Sequence, residues 1–175
     1  MQEKVFFHEE QRFRQWWVWI ILFAVILIFI YGMFQQFVLG KPFGNQPAPD
    51  WALAVSGAVP LLMIIFFSQT RLITEIYSDG IYYRFFPFHT KIKKITWDEI
   101  ESREIRKYHP IREYGGWGFR YSKFGKGRAL NISGNIGLQL VLKNGKKLLI
   151  GTQQDYALIK AIEKAEEEHN QNLEK

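Results

Sequence analysis

Two long apolar runs dominate the first third of the chain. Residues 15–40 and 51–70 contain no Asp, Glu, Lys, Arg or His. About 20 apolar residues in a helix are enough to cross the hydrocarbon core of a bilayer. The connecting residues 41–50 include three prolines and are so few that the two helices must run antiparallel. The pattern therefore predicts a transmembrane helical hairpin.

The charges beside these runs predict how the hairpin is oriented. Spans at about 16–39 and 51–69 leave residues 40–50 as a short non-cytoplasmic loop. Cytoplasmic flanks of spans carry an excess of Lys and Arg. The positive residues that flank the outer ends of the two runs are Arg12, Arg14 and Arg71. We expect a multi-pass cell-membrane protein with two spans, whose N- and C-termini are both cytoplasmic.

Beyond residue 70 the pattern changes to that of short strands. Seven runs have strand-like composition or alternation, at residues 71–77, 81–86, 91–97, 101–108, 128–132, 137–142 and 147–151. Asp79-Gly80 and Asn144-Gly145 separate neighbouring runs, and such pairs are typical of β-hairpin turns. After Thr152 the apolar residues recur at helical spacing. An α+β chain is predicted, with about seven strands and a C-terminal amphipathic helix after the hairpin.

These elements divide the chain into four segments. They are residues 1–14 as a cytoplasmic N-terminal tail, 15–70 as the hairpin, 71–168 as a cytoplasmic domain, and 169–175 as a frayed tail. Thr152 and Asp155 have the spacing of a capping box, which predicts the start of the last helix. About 100 residues are enough for one small hydrophobic core in the domain.

Several motifs in the second half resemble those of a known family. They are Glu-Tyr-Gly-Gly-Trp-Gly-Phe-Arg at 113–120, Ser-Gly-Asn-Ile-Gly-Leu-Gln-Leu at 133–140 and Leu-Ile-Gly-Thr-Gln at 149–153. The chain resembles small uncharacterised prokaryotic membrane proteins with two N-terminal spans and a bacterial pleckstrin-homology-like (PH-like) domain. The resemblance is close over residues 108–153 and looser over 16–162. It implies a PH-like β-barrel plugged by the C-terminal helix, and it implies no particular activity.

Basic residues are concentrated in one part of the predicted domain. Residues 103–128 contain eight Lys or Arg and two Glu, while the whole chain has a formal net charge of +6. A basic patch beside a membrane attracts anionic lipid headgroups. The candidate headgroup or partner contacts are Arg112, Trp117, Arg120, Lys123, Lys126 and Arg128. The alternative is that these charges only solvate the surface or set the membrane topology.

The glycine-rich string around Trp117 has two interpretations. Gly115, Gly116 and Gly118 permit backbone angles that other residues avoid. Trp117 would then reach into the membrane interface or a ligand groove. The simpler interpretation, which we favour, is that Trp117 closes the small core while the glycines turn the chain.

Catalytic and metal-binding patterns are not found in the sequence. The chain has no cysteine, and its four histidines, His8, His89, His109 and His169, lack metal-ligand spacing. We therefore expect no enzyme activity, cofactor, metal or nucleic-acid partner. The predicted function is a membrane-anchored binding or scaffolding module at the inner leaflet. The alternatives are a structural subunit that recruits other membrane proteins through its hairpin or sheet edge and, more weakly, a small-ligand enzyme.

Overall fold

The chain forms two compact units with different secondary structure. The computed structural model describes residues 4–122 and 125–173. The helical unit is Phe13–Gln69, and the β-rich unit contains the described residues up to Arg12 and those from Thr70 onward. The helical unit is therefore inserted into the sequence of the β-rich unit, between its first and second strands.

Two long helices make up most of the helical unit. Helix α1 is Trp16–Met33 and continues as a π-helical segment, Phe34–Val38, while α2 is Asp50–Gln69. Both are long and apolar enough to cross a membrane, as the sequence predicts. Gly57 is buried where α2 packs on α1, and a Cβ atom there would lie 3.5 Å from Phe29 Cδ1. A small residue at this position lets the two backbones approach closely.

The first sheet of the β-rich unit contains four antiparallel strands. They are β1 (Val5–Arg12), β2 (Arg71–Tyr77), β3 (Gly80–Phe86) and β4 (Lys93–Thr96), in the order β1-β2-β3-β4. The predicted turn at Asp79-Gly80 joins β2 to β3, with Tyr77 opposite Gly80. A short 3₁₀ turn, Trp97–Glu99, follows β4 and leads into the second sheet.

Strand β1 corrects the expectation of an N-terminal tail. Residues 1–14 were expected to be a cytoplasmic tail, but Val5–Arg12 pair with β2 along the edge of the sheet. The inward positions of the strand are Phe7, Glu9 and Gln11, all of which are buried. Because two of these three positions are polar, the apolar alternation that marks a half-buried strand is missing from the sequence.

The second sheet contains five strands around a central hairpin. They are β5 (Ile100–Lys107), β6 (Gly118–Tyr121), β7 (Arg128–Asn131), β8 (Ile136–Leu142) and β9 (Lys147–Gly151), in the order β5-β8-β9-β7-β6. The β7–β9 pair is parallel and the other pairs are antiparallel. Asn144-Gly145 forms the predicted turn between β8 and β9. A one-and-a-half-turn helix, α3 (Pro110–Tyr114), lies between β5 and β6.

The predicted α+β class is confirmed, whereas the predicted closed barrel is not. The described residues form nine strands in two sheets that do not close. Strands β1 and β6 were not predicted, the first because its inward face is polar and the second because four residues are too few to show a period. Local patterns indicate strands, but pairing and closure depend on contacts between distant residues.

Helix α4 ends the fold and packs against β1 and β2. It spans Asp155–Leu173 and buries Leu158 and Ile162, as its periodicity predicts. The helix continues past residue 168, where a frayed tail was expected. The predicted capping box does not form, because the helix begins at Asp155 and Thr152 therefore lies before its N-cap position. The Thr152 hydroxyl accepts a hydrogen bond from the Gln154 backbone N–H at 3.0 Å and donates one to Glu9 Oε2 at 2.6 Å. The start of α4 is thus tied to β1.

Candidate functional site

The candidate contact residues lie on α3, β6, β7 and the loops between them. In chain order they are Arg112 on α3, Trp117 just before β6, Arg120 on β6, Lys126 just before β7 and Arg128 at the start of β7. Lys123 lies outside the described residues. Arg112, Arg120 and Lys126 are exposed, while Trp117 and Arg128 are half-buried.

Carboxylates neutralise part of the basic segment. Arg106 Nη2 and Lys126 Nζ each lie 2.9 Å from Glu113 Oε2. Arg103 forms an ion pair with Glu166 of α4. Because each of these three cations is paired with a carboxylate, they are less available to an external anion than the sequence suggests.

Glu113 is the centre of this network. Burial of its carboxyl group raises the pKa, but hydrogen bonds from Arg106, Lys126 and the His109 backbone N–H outweigh burial and lower it to about 2. Arg106 also donates to Gln139 Oε1 at 3.1 Å. The network thus connects β5, α3, β8 and the loop before β7.

The lowered pKa of Glu113 predicts acid sensitivity. Its folded-state pKa of about 2 lies below the ordinary value of 4.5, so its stabilising effect is complete above about pH 5 and is lost as the pH falls towards 2. Because Lys126 is partly solvated, the effect is modest. Between pH 6 and pH 3, the free energy of unfolding of wild type should fall by only about 1–2 kcal/mol more than that of Glu113→Gln. Urea unfolding of full-length protein in detergent at the two pH values measures this difference. The exposed Glu101→Gln variant should keep the wild-type slope, and equal slopes for all three proteins would contradict the prediction.

Trp117 does not enter the core, contrary to the interpretation favoured from the sequence. Its indole Nε1 donates to the Gly134 carbonyl oxygen at 2.9 Å, and its own carbonyl accepts from Arg120 Nε at 2.9 Å. The core position nearby is taken by Tyr108 and Tyr114, which cluster with other buried residues. The hydrogen bond of the half-buried indole therefore links the loop before β6 to the loop before β8.

Arg128 is held by aromatic rings. Its guanidinium carbon lies 5.2 Å from the centroid of the Phe119 ring and 5.0 Å from that of Tyr121. A guanidinium at such distances is attracted by the negative faces of the rings. Phe119 also packs against Phe85, with ring centroids 6.4 Å apart, so this position joins the two sheets.

His89 packs in the same aromatic cluster as a neutral ring. It is 5% exposed, and its ring centroid lies 5.5 Å from that of Phe119. Burial, followed by the charges of Lys93 and Arg128, lowers the pKa of His89 to about 4. Its Nδ1 accepts a hydrogen bond from the Phe85 backbone N–H at 3.3 Å. At neutral pH His89 therefore adds no charge to the basic surface.

A basic cavity of about 590 Å³ opens next to Arg128, between β4, β6 and the β8–β9 hairpin. Tyr83 and Tyr121 contribute aromatic walls. The charged lining residues are Lys94, Glu99, Arg128, Lys146 and Lys147. Lys94 forms an ion pair with Asp79, and Glu99 accepts a hydrogen bond from the Thr96 backbone N–H. Within residues 4–122 and 125–173, Arg128, Lys146 and Lys147 have no carboxylate partner, so the cavity attracts anions.

Comparison with known proteins gives a family for this chain. A family model described as a family of unknown function, DUF6141, matches residues 2–168. The chain belongs to DUF6141. No curated protein and no solved structure matches it. Because the family has no known function, the site geometry is the basis for any functional proposal.

The geometry of this DUF6141 chain separates the five candidate residues that the structure describes. Arg128 lines the basic cavity, whereas Arg112, Trp117, Arg120 and Lys126 do not. The cavity lysines, Lys94, Lys146 and Lys147, were not among the candidates expected from the sequence. A signal for two of them was present, because Lys146 and Lys147 directly follow the predicted Asn-Gly turn. Their proximity to Arg128 depends on the parallel β7–β9 pair, in which Arg128 is opposite Leu148.

Proposed function

We propose that this protein is a membrane-anchored binding or scaffolding module that acts at the inner leaflet of the cell membrane. In this proposal α1 and α2 are its two spans, and both termini are cytoplasmic. The β-rich unit is an open variant of the PH-like architecture. Its basic cavity binds the phosphate of an anionic lipid headgroup, while the exposed Arg112 and Arg120 contact neighbouring headgroups.

Strand pairing supports the two-span topology. Strand β1 ends at Arg12, β2 begins at Arg71, and these two residues are register partners. The chain therefore leaves the sheet for the helical unit and returns from it at adjacent points. A bilayer cannot pass between two hydrogen-bonded strands, so the number of crossings must be even. The arginines at these points, together with Arg14, favour the cytoplasmic side.

The order of elements supports the PH-like assignment. The two sheets follow each other along the chain after β1, and a single helix ends the fold. That helix packs against β1 and β2, as a terminal helix that plugs one end of a bent sheet does. The unpredicted strands β1 and β6 are extensions of this architecture at the edges of the two sheets.

The basic cavity is the observation that carries the binding proposal. Four cationic side chains and one carboxylate line it, and its volume is in the range of small-ligand sites. The planar guanidinium of Arg128 suits bidentate hydrogen bonding to phosphate oxygens. Each basic residue near an anionic membrane surface adds roughly 1 kcal/mol of attraction. A phosphate-bearing headgroup therefore fits the charge and the size of the cavity.

Replacing Arg128 with glutamine tests this function. Full-length protein in a neutral detergent is titrated with dioctanoyl phosphatidylglycerol and, separately, with dioctanoyl phosphatidylcholine. We expect wild type to prefer the anionic lipid, and Arg128→Gln to weaken its binding about tenfold, because a charge-assisted hydrogen bond contributes roughly 1.5–3 kcal/mol. The matched control is Lys160→Gln, since Lys160 also lies over a tyrosine ring, that of Tyr156 on α4. That variant should bind within about twofold of wild type.

Two results would contradict the proposal. One is equal affinity of wild type for the two lipids, and the other is an Arg128→Gln variant that is folded by circular dichroism and binds phosphatidylglycerol as wild type does. Either result would leave the recruitment of other membrane proteins as the better explanation of the anchored β-rich unit. Crosslinking in membranes, followed by mass spectrometry, would then be expected to give one dominant protein contact.

A further inference from the structure

The loop between β3 and β4 exposes two large apolar side chains. Phe88 is 53% exposed and Ile92 is 50% exposed. Lys91 and Lys93, which flank Ile92, are exposed as well. Apolar tips interleaved with lysines are typical of segments that lie in the interface of an anionic membrane.

Strand register places this loop at one particular end of the first sheet. Arg71, the first residue of β2, is opposite Arg12 of β1 on one side and Phe86 of β3 on the other. The loop leaves β3 immediately after Phe86, so it begins at the end of the sheet where β1 stops and β2 starts. Neighbouring strands are about 4.8 Å apart, so Phe86 lies close to Arg71.

A single residue connects helix α2 to strand β2. Only Thr70 separates the last residue of α2, Gln69, from the first residue of β2. The Cα atoms of residues 69 and 71 can therefore be at most about 7 Å apart. If α2 spans the bilayer, its last residue is at the interface, and so is this end of the sheet.

We infer that the β3–β4 loop inserts Phe88 and Ile92 into the interfacial region of the bilayer that α1 and α2 cross, with Lys91 and Lys93 among the lipid phosphates. This inference rests on the membrane location in the proposed function, but not on binding in the basic cavity. The Phe88 ring stacks on Phe119, with centroids 5.1 Å apart and planes at 15°. Because Phe119 also supports Arg128, insertion of the loop would hold the basic cavity at a constant depth relative to the headgroups.

The absence of native cysteine makes a depth measurement simple. The variants Ile92→Cys and Val5→Cys are each labelled with an environment-sensitive nitrobenzoxadiazole dye in full-length protein in nanodiscs. The nanodiscs contain phosphatidylcholine alone or with about one-third phosphatidylglycerol, plus a lipid with a nitroxide at acyl carbon 5. Val5 is the matched control, because it is 48% exposed and starts β1, roughly 20 Å from the Arg12 end of the same sheet.

We expect the nitroxide to quench the label at position 92 at least about twofold more strongly than the label at position 5, in both lipid mixtures. Equal quenching at the two positions would overturn the inference, as would failure of the protein to enter nanodiscs. In the exposed Thr90→Cys variant the dye is at position 90 and Ile92 keeps its native side chain. This variant therefore separates insertion caused by Ile92 from insertion caused by the dye. Adding Ile92→Asp should reduce quenching at position 90, and unchanged quenching there would also overturn the inference.

The two proposals fail in different ways. Loss of the preference for phosphatidylglycerol, with strong quenching at position 92, would refute headgroup binding in the cavity and support loop insertion. A preserved preference for phosphatidylglycerol, with no quenching at position 92, would refute loop insertion and support headgroup binding.

Discussion

Replacing Gly127 with alanine will lower the melting temperature of the β-rich unit by about 15 °C or more. Gly127 has a φ of +79°, and a Cβ atom there would lie 2.1 Å from the Lys147 carbonyl oxygen. The left-handed backbone costs alanine about 1–2 kcal/mol. The clash adds to this, because the Lys147 carbonyl oxygen is a main-chain atom and cannot turn away as the end of a side chain can. To remove this clash, β7 must move away from β9 next to the Arg128–Leu148 pair. We expect a total loss of about 3–4 kcal/mol, which corresponds to the stated shift for a unit of roughly 100 residues.

Gly145→Ala separates the two causes of this loss. Gly145 has nearly the same φ, +76°, but a Cβ atom there would meet no heavy atom within 4 Å beyond its chain neighbours. Its replacement should therefore cost only the left-handed backbone energy of about 1–2 kcal/mol, or roughly 5–10 °C. Thermal unfolding of full-length protein in detergent, followed by far-ultraviolet circular dichroism, compares the two variants. If Gly127→Ala does not fold, limited proteolysis gives the same comparison: the β-rich unit of Gly127→Ala should be cleaved rapidly, while that of Gly145→Ala stays intact. Equal stability of the two variants would contradict the steric explanation.

Replacing Glu9 with alanine will destabilise the β-rich unit by about 3 kcal/mol. Glu9 is 4% exposed, and its carboxylate accepts hydrogen bonds from the Thr152 hydroxyl at 2.6 Å and the Gln153 backbone N–H at 2.8 Å. Alanine removes both acceptors and leaves the Thr152 hydroxyl, which is buried, without its acceptor. Hydrogen bonds to a charged group contribute roughly 1.5–3 kcal/mol each, and unsatisfied buried donors have a similar cost.

Glu10 is the matched control on the same strand. Its side chain is on the opposite face of β1 and forms an exposed ion pair with Arg12 at 2.8 Å. Surface pairs of this kind contribute at most about 1 kcal/mol, so Glu10→Ala should be nearly neutral. Urea unfolding at neutral pH measures both variants. Equal small losses would mean that β1 behaves as the N-terminal tail expected from the sequence, and that it is not an integral edge strand.

Strand β1 changes how the whole chain is understood. Without it, the helical hairpin would simply precede a separate C-terminal domain. With it, the hairpin is an insertion between two paired strands, so the β-rich unit needs residues from both sides of the helical unit in the sequence. The Glu9 contacts to the segment before α4, and that of Gln11 Nε2 with the Gly151 carbonyl oxygen at 2.7 Å, extend this dependence to the end of the fold.

The candidate site was only partly predictable. Arg128 was a candidate because it belongs to a basic segment, and it lines the cavity, but the same reasoning included Lys126, which pairs with Glu113. Charge counting along a chain treats every lysine and arginine as available. Which of them remains unpaired is decided by carboxylates that approach from other elements, such as Glu166 of α4 beside Arg103. The cavity lysines were missed for the converse reason, since strand pairing brings them to Arg128 from distant positions.

The sequence alone determined the features that depend on neighbouring residues. The two apolar helices, the turns at Asp79-Gly80 and Asn144-Gly145, and the amphipathic α4 follow from local period and composition, and all are present. Only the tertiary structure decided the edge position of β1, the opening of the sheets and the pairing of the charges. These features depend on which distant groups meet. The free energy of burying Glu9 or of pairing β7 with β9 depends on residues far apart in the sequence, so no short segment predicts it.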